Sequence, residues 1–107
     1  MTTLPLGTIA VIFVAQRSLD DDAGYHAAAE EMDALAAAQP GYIGIDSVRS
    51  ADGLGITVSY WADDAAAKGW RDHSRHAAIR DQGRGTWYTH YHLHVAEVTR
   101  SYDWKKP

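Results

Sequence analysis

Residues 42–61, YIGIDSVRSADGLGITVSYW, decide the fold of this chain. The first eight residues alternate loosely between apolar and polar side chains. Ser50-Ala51-Asp52-Gly53 has the composition of a turn, and from Leu54 to Trp61 the apolar residues Ile56, Val58 and Tyr60 fall in phase. Alternation on both sides of a glycine-containing turn predicts a β-hairpin.

The segments on either side of the hairpin have helical spacing. Upstream, Asp20-Asp21-Asp22 offers N-cap residues, and Gln39-Pro40-Gly41 stops the helix. Downstream, Ala62-Asp63-Asp64 opens a second helix that continues to Gln82-Gly83-Arg84-Gly85. In the first helix an apolar stripe comprises Tyr25, Ala28, Ala29, Met32, Leu35 and Ala36. In the second, about one third of the helical circumference holds Ala66, Trp70, His73, Ala77 and Arg80.

Two outer strands complete the pattern. Thr8 to Ala15 is a short β-branched run, and Trp87 to Tyr102 alternates with period two. The order β-α-β-β-α-β predicts one α+β domain over residues 1–107, with a ferredoxin-like antiparallel sheet and two helices on one face.

The other face of this sheet needs a cover. The first strand is apolar on both sides, with Ile9, Val11 and Phe13 on one and Ile12 and Val14 on the other. A final strand of sixteen residues would span roughly 50 Å, whereas a compact chain of this size is roughly 34 Å across. It must therefore break or reach beyond its own subunit. Both features predict a homodimer.

Composition excludes several classes of function. The net charge of −4 and the scattered basic residues give no footprint for nucleic acid. No apolar run is long enough to span a membrane, and the N-terminus lacks the basic region of a signal peptide. The chain has no cysteine, which excludes disulfides and thiolate ligands. We expect a cytoplasmic protein.

The chain resembles the antibiotic biosynthesis monooxygenase (ABM) domain family over about residues 8–100. The resemblance rests on Gln39-Pro40-Gly41-Tyr42-Ile43-Gly44, on Tyr60-Trp61, on the segment from Asp63 to Trp70, and on His73 and His76. It implies a dimeric α+β barrel with a cavity between sheet and helices. Characterised members oxygenate aromatic phenols with O₂ and without metal or flavin. Relatives that degrade haem usually place a ligating His ten residues after the tryptophan of the second helix; here that position is Arg80, so the chain departs from the haem pattern.

Trp61, Trp70 and Trp87 have two interpretations. They pack the core and the strand ends, or they form an aromatic wall on which a planar ligand stacks. The resemblance places Trp70 at the pocket.

His73, His76 and Arg80 form the predicted catalytic group. They lie three and four residues apart on one flank of the second helix. A His accepts the proton that a phenol must lose before it passes an electron to O₂, and an Arg holds the oxyanion. The alternative is an exposed polar face.

His90, His92 and His94 share one face of the last strand, with Tyr88, Ala96 and Val98 in phase. They could ligate a metal, serve a structural or interface role, or do acid–base work in a cavity. We expect no metal, and we expect Tyr88 and His92 to contact substrate together with the three tryptophans. Tyr91 and Tyr102 are further hydrogen-bonding candidates.

These residues favour a small cofactor-independent monooxygenase, an oxidoreductase acting on a polycyclic aromatic phenol or quinol with O₂. No nucleotide, flavin or protease motif is present. The alternative is a non-catalytic dimeric module that binds an aromatic or haem-like small molecule.

Overall fold

The computed structural model describes residues 3–107 as a four-stranded antiparallel sheet with three α-helices. The strands are β1 (Ile9–Arg17), β2 (Tyr42–Arg49), β3 (Leu54–Trp61) and β4 (Tyr88–Glu97). The helices are α1 (Asp22–Ala37), α2 (Asp64–Arg71) and α3 (Ser74–Gln82), and a π-helical turn, Gly83–Trp87, joins α3 to β4. The predicted ferredoxin-like α+β class and its central hairpin are confirmed.

The sheet has the order β2-β3-β1-β4, so the first strand lies in the interior. Ile9 of β1 stands opposite Trp61 of β3 and Glu97 of β4. Ile9 and Val11 pack against the core. Because side chains alternate along a strand, the odd-numbered residues of β1 face the helices and the even-numbered residues face away from them.

The first and last strands of the chain differ from their predicted lengths. β1 extends to Arg17, beyond the predicted end at Ala15. β4 ends at Glu97 and not at Tyr102. Beyond Glu97, Val98 still exchanges backbone hydrogen bonds with Gly7 and Thr8, next to the start of β1. The predicted sixteen-residue strand was therefore wrong, and the strand breaks before it outgrows the subunit.

The predicted single helix over residues 62–82 was also wrong. The chain leaves helical geometry at His73, whose φ and ψ are −59° and 130°. The His73 Nδ1 accepts a hydrogen bond from the backbone N–H of Arg75 at 3.2 Å and caps α3. Side chains that bond the nearby backbone compete with helical hydrogen bonds. Trp70 and Arg80 consequently lie on two helices and not on one stripe.

The core consists of two buried clusters between the sheet and the helices. Ala36, Trp61, Ala67 and Trp70 form one, and Tyr25, Ile79 and Trp87 form the other. Within residues 3–107, no helix has both the length and the apolar composition that crossing a bilayer requires.

Candidate functional site

A cavity of about 340 Å³ opens between the helix-facing side of the sheet and the start of α1. All four strands and the hairpin turn contribute residues to it. We name it the arginine cavity, after Arg17 and Arg49. Its lining residues are Phe13, Ala15, Arg17, Tyr25, His26, Arg49, Ser50, Ala51, Gly53, Gly55, Thr57 and Tyr88. The volume falls within the roughly 300–1,000 Å³ of small-molecule sites.

The floor of the cavity is open because small residues occupy paired positions. Ala15 of β1 stands opposite Gly55 of β3. At the neighbouring Gly53, φ is +97°, a conformation that side chains other than glycine rarely adopt. The tight turn there lets the Gly53 carbonyl accept a hydrogen bond from the backbone N–H of Arg17 at 3.0 Å. The hairpin turn is thereby fixed against the end of β1.

Tyr25 lies between the two guanidinium groups. The Arg17 guanidinium carbon is 4.0 Å from the centre of the Tyr25 ring, and that of Arg49 is 5.6 Å from it. Arg49 also donates from Nε to the Tyr25 hydroxyl at 2.7 Å. Cation–π contacts and a hydrogen bond therefore hold both cations at one end of the cavity.

The lining is positively charged. It contains two arginines and one histidine, and none of the described lining residues is acidic. Arg17 forms an ion pair with Asp22, Nη2 to Oδ1 at 2.8 Å, and its side chain is only 12% exposed. Its Nη1 is buried without a hydrogen-bond partner among residues 3–107. The cavity therefore favours an anionic or electron-rich ligand group.

Tyr88 reaches this cavity through a β-bulge. Tyr88 pairs with Arg17 and His90 pairs with Gln16, so the register shifts at Thr89. The extra residue turns Tyr88 to the helix side, where its ring lies 5.6 Å from Phe13. The prediction that Tyr88 shares a face with His90 was wrong for this reason. Burial raises the pKa of Tyr88 to about 12.

His26 is an exposed base at the edge of the cavity. Its Nε2 lies 3.4 Å from Asp22 Oδ1, the oxygen that also pairs with Arg17. A carboxylate on Nε2 favours the tautomer that carries its proton there, which leaves Nδ1 as the acceptor.

The predicted catalytic group lies elsewhere, at the junction of α2 and α3. Arg80 donates from Nη1 to the Arg71 carbonyl at 3.3 Å. The His76 Nδ1 lies 2.9 Å from the Trp70 carbonyl, so Nδ1 carries the proton. Burial lowers the pKa of His76. Together with the His73 cap, these contacts stabilise the helix break, and none of the three residues lines the arginine cavity.

The three tryptophans are core residues. Trp61 is completely buried, and Trp87 is 3% exposed and donates to Asp21 Oδ2 at 3.3 Å. Trp70 lines a separate groove of about 510 Å³ between the end of α1 and α2. This groove and the arginine cavity are two distinct places, so the predicted ligand residues are not brought together. The roles of the tryptophans in substrate binding stay predictions.

His92 faces away from the helices. It stands opposite Val14 in β1. The centre of its ring lies 5.9 Å from that of His90 and 5.2 Å from that of His94. The row is exposed on the far side of the sheet from the arginine cavity. Its contact with substrate and the absence of a metal both stay predictions.

Arg17, Arg49, Tyr25 and His26 line the cavity but were not among the predicted site residues. Arg49 ends the predicted first strand of the hairpin, whereas Arg17 lies beyond the predicted end of β1 at Ala15. The two strand ends meet because β1 and β2 both run antiparallel to β3, and the pairing of β1 with β3 was not among the predictions.

This arrangement defines a ferredoxin-like α+β domain with a ligand-sized, positively charged cavity. Comparison with known proteins identifies its family. The family model described as "Antibiotic biosynthesis monooxygenase" matches residues 8–82. The chain belongs to this family.

Individual relatives agree with this assignment. The chain is 50% identical over 91 residues to the uncharacterised protein YqjZ of Bacillus subtilis, covering 85% of this chain and 79% of YqjZ. Its fold is similar to SnoaB, a cofactor-independent oxygenase from Streptomyces nogalater, with a TM-score of 0.70, 16% identity, and coverage of 87% of this chain and 96% of SnoaB. It is also similar to protein SO0527 from Shewanella oneidensis, with a TM-score of 0.77, 12% identity, and coverage of 92% and 95%.

Proposed function

We propose that this protein is a small cofactor-independent monooxygenase that oxygenates a polycyclic aromatic phenol or quinol, bound in the arginine cavity, with O₂. Family membership supports the class of reaction, and SnoaB shows that this fold hosts such an oxygenase. The observation on which the site depends is a cavity of about 340 Å³ that is lined both by aromatic rings and by two guanidinium groups.

The chemistry begins with loss of a proton from the phenol. The phenolate passes one electron to O₂, and the two radicals combine to a peroxide. Loss of water from the peroxide leaves one oxygen atom as a new carbonyl, so both atoms of O₂ are accounted for.

The cavity residues suit the first step. The positive charge of Arg17 and Arg49 favours the phenolate over the phenol and so lowers the pKa of the bound phenol. His26 accepts the proton at Nδ1, and Asp22 at its Nε2 orients the ring. Phe13 and Tyr88 contact the rings of the substrate.

The groove beside Trp70 is the competing location for the same reaction. In this alternative, Nε2 of His76 is the base and Arg80 holds the oxyanion, as the sequence predicts. The cavity is the stronger proposal because its cationic groups line it, whereas neither His76 nor Arg80 lines the groove and Arg80 donates to a backbone carbonyl.

Oxygen uptake with anthrone as substrate tests the proposal and separates the two locations. We expect uptake that a chelator does not change, and a loss of at least about tenfold in kcat/KM for Arg49→Met with little change for Arg80→Ala. The reverse pattern would move the site to the Trp70 groove. Anthrone binding without uptake by the wild-type protein would contradict the oxygenase and favour the non-catalytic module.

The working protein is, in this proposal, a homodimer. The face of the sheet that carries Ile12 and Val14 lies away from the three helices described within residues 3–107, and a second copy provides the simplest cover. The cysteine-free sequence suits a reducing cytoplasm.

A further inference from the structure

We infer that the ligand of the arginine cavity is an aromatic carboxylate, whose carboxylate group binds Arg49 while its rings lie against Phe13 and Tyr88. The inference rests on the proposed function, since it names the substrate class of the same site. The ligand must carry an acidic group that is ionised at neutral pH, in addition to any phenol group that reacts.

The charge balance of the cavity is the first argument. Asp22 neutralises Arg17. Among residues 3–107, Arg49 has no acidic side chain in an ion pair with it, and the cavity lining supplies no carboxylate. An uncompensated guanidinium beside a cavity attracts an anionic ligand.

The orientation of Arg49 is the second argument. Its Nε is occupied by the Tyr25 hydroxyl, and the Tyr25 ring is buried in the core. This bond fixes the plane of the guanidinium and leaves the two Nη nitrogens as donors. A paired donor edge matches the two oxygens of a carboxylate, whereas a phenolate offers one oxygen.

Arg17 adds a third argument. Its buried Nη1 has no acceptor among the described residues. A buried donor without a partner is costly, and an acceptor oxygen of a ligand in the cavity would satisfy it. Phe13 and Tyr88, which meet edge to face, supply aromatic rings to the same lining. A ligand that matches both the rings and the cations has aromatic rings and an acidic group.

Equilibrium binding of two matched probes tests the inference without turnover. The probes are 2-naphthoate and 2-naphthamide, which have nearly the same shape and differ in charge. Titration calorimetry under argon removes O₂, so oxygenation cannot affect the result. We expect the wild-type protein to bind 2-naphthoate at least about tenfold more tightly, a ratio that corresponds to about 1.4 kcal/mol.

Variants of the exposed Arg49 test whether this residue causes the preference for 2-naphthoate over 2-naphthamide. Arg49→Met should bring the affinities for the two probes within about twofold, and Arg49→Lys should keep part of the preference. Arg71→Ala is the matched control, because Arg71 is an exposed cation paired with Asp72 on α2, and it should keep the full preference. Melting temperatures verify that each variant is folded.

Three results would overturn the inference. They are equal affinity of the wild-type protein for both probes, no binding of either probe below millimolar concentration, and an undiminished preference in Arg49→Met. Failure of the oxygenase proposal gives a different result, in which 2-naphthoate binds with the expected preference but anthrone consumes no O₂.

Discussion

Trp70 and His76 form a stack in which a polar ring has a structural role. The rings of Trp61 and Trp70 are 6.2 Å apart at 23°, and those of Trp70 and His76 are 4.4 Å apart at 15°. The stack extends from the buried core towards the surface and closes the junction of α2 and α3. Because Nδ1 of His76 donates to a backbone carbonyl, the neutral imidazole with a free Nε2 fits this position.

Protonation of His76 should therefore destabilise the fold. Burial holds the pKa of His76 below 6.5 in the folded protein, so the unfolded chain binds a proton at higher pH. The stabilising contribution is complete above pH 6.5 and is lost as the pH falls through the lowered folded pKa. Urea unfolding between pH 8 and pH 5 should show a smaller loss of stability for His76→Phe, which keeps the ring, than for the wild type. Parallel curves for the two proteins would contradict this.

Tyr88 should resist ionisation. Burial raises its pKa to about 12, whereas a tyrosine in the unfolded chain ionises near 10. Its contribution to stability is complete below pH 10 and is lost as the pH rises through 12. Tyr88→Phe should remove this part of the alkaline loss, at most about 2 kcal/mol because the side chain is partly exposed. The difference in absorbance at 295 nm between wild type and variant measures the titration, and a midpoint near 10 would rule out the buried environment.

At the scale of elements, the sequence predicted what local patterns determine. The bounds of the hairpin strands were predicted correctly because alternation and the Ser50–Gly53 turn are local signals. The helix break at His73 was not predicted, because the apolar period continues from Trp70 to Ala77 while the His73 side chain caps α3 and interrupts the helix. The bulge at Thr89 was equally invisible, since one extra residue in a ladder depends on the partner strand.

Gly41 connects two elements through a close approach. Its φ is +80°, and a Cβ at this position would lie 2.4 Å from the Ala66 Cβ of α2. Gly41→Ala should lower the free energy of unfolding by about 2–4 kcal/mol, from the left-handed backbone and the clash together.

Gly69→Ala is the matched control for this substitution. A Cβ at Gly69 would meet nothing within 4 Å, and the residue lies inside α2. Alanine there should increase stability by about 0.5–1 kcal/mol. Urea unfolding of both variants measures the two effects, and equal stability of Gly41→Ala and the wild type would refute the close approach.

At the scale of the whole molecule, the candidate site depends on long-range pairing. Arg17, Arg49 and Tyr88 come from three strands, and the β-bulge turns the Tyr88 side chain to the cavity side of the sheet. The sequence predicted Tyr88 from its position on a strand, whereas the two arginines resembled ordinary charges at strand ends. Their significance follows from the cavity that they share, whose described lining residues include no acidic side chain, and residue spacing along the chain does not reveal this.

The outer face of the sheet leads to the last prediction, that the protein is a dimer at micromolar concentration. Val48 is 67% exposed, Leu54 43% and Ile56 37%, and Val48 and Ile56 are paired across β2 and β3. Neighbouring apolar side chains on an uncovered sheet face mark an interface. A second sheet packed on this face should bury more than the roughly 1,600 Å² of a standard interface.

Light scattering coupled to gel filtration tests this assembly. The wild-type protein should elute with twice the mass of the chain, and Val48→Asp combined with Ile56→Asp should shift it towards the monomer because two carboxylates would be buried without partners. Leu19→Asp is the control, since Leu19 is 49% exposed but lies in the loop between β1 and α1, and it should leave the dimer intact. A folded wild-type monomer at micromolar concentration would contradict the prediction and leave the apolar face without a partner. Loss of the dimer in Leu19→Asp alone would place the interface at the opposite side of the molecule, next to α1 and the arginine cavity.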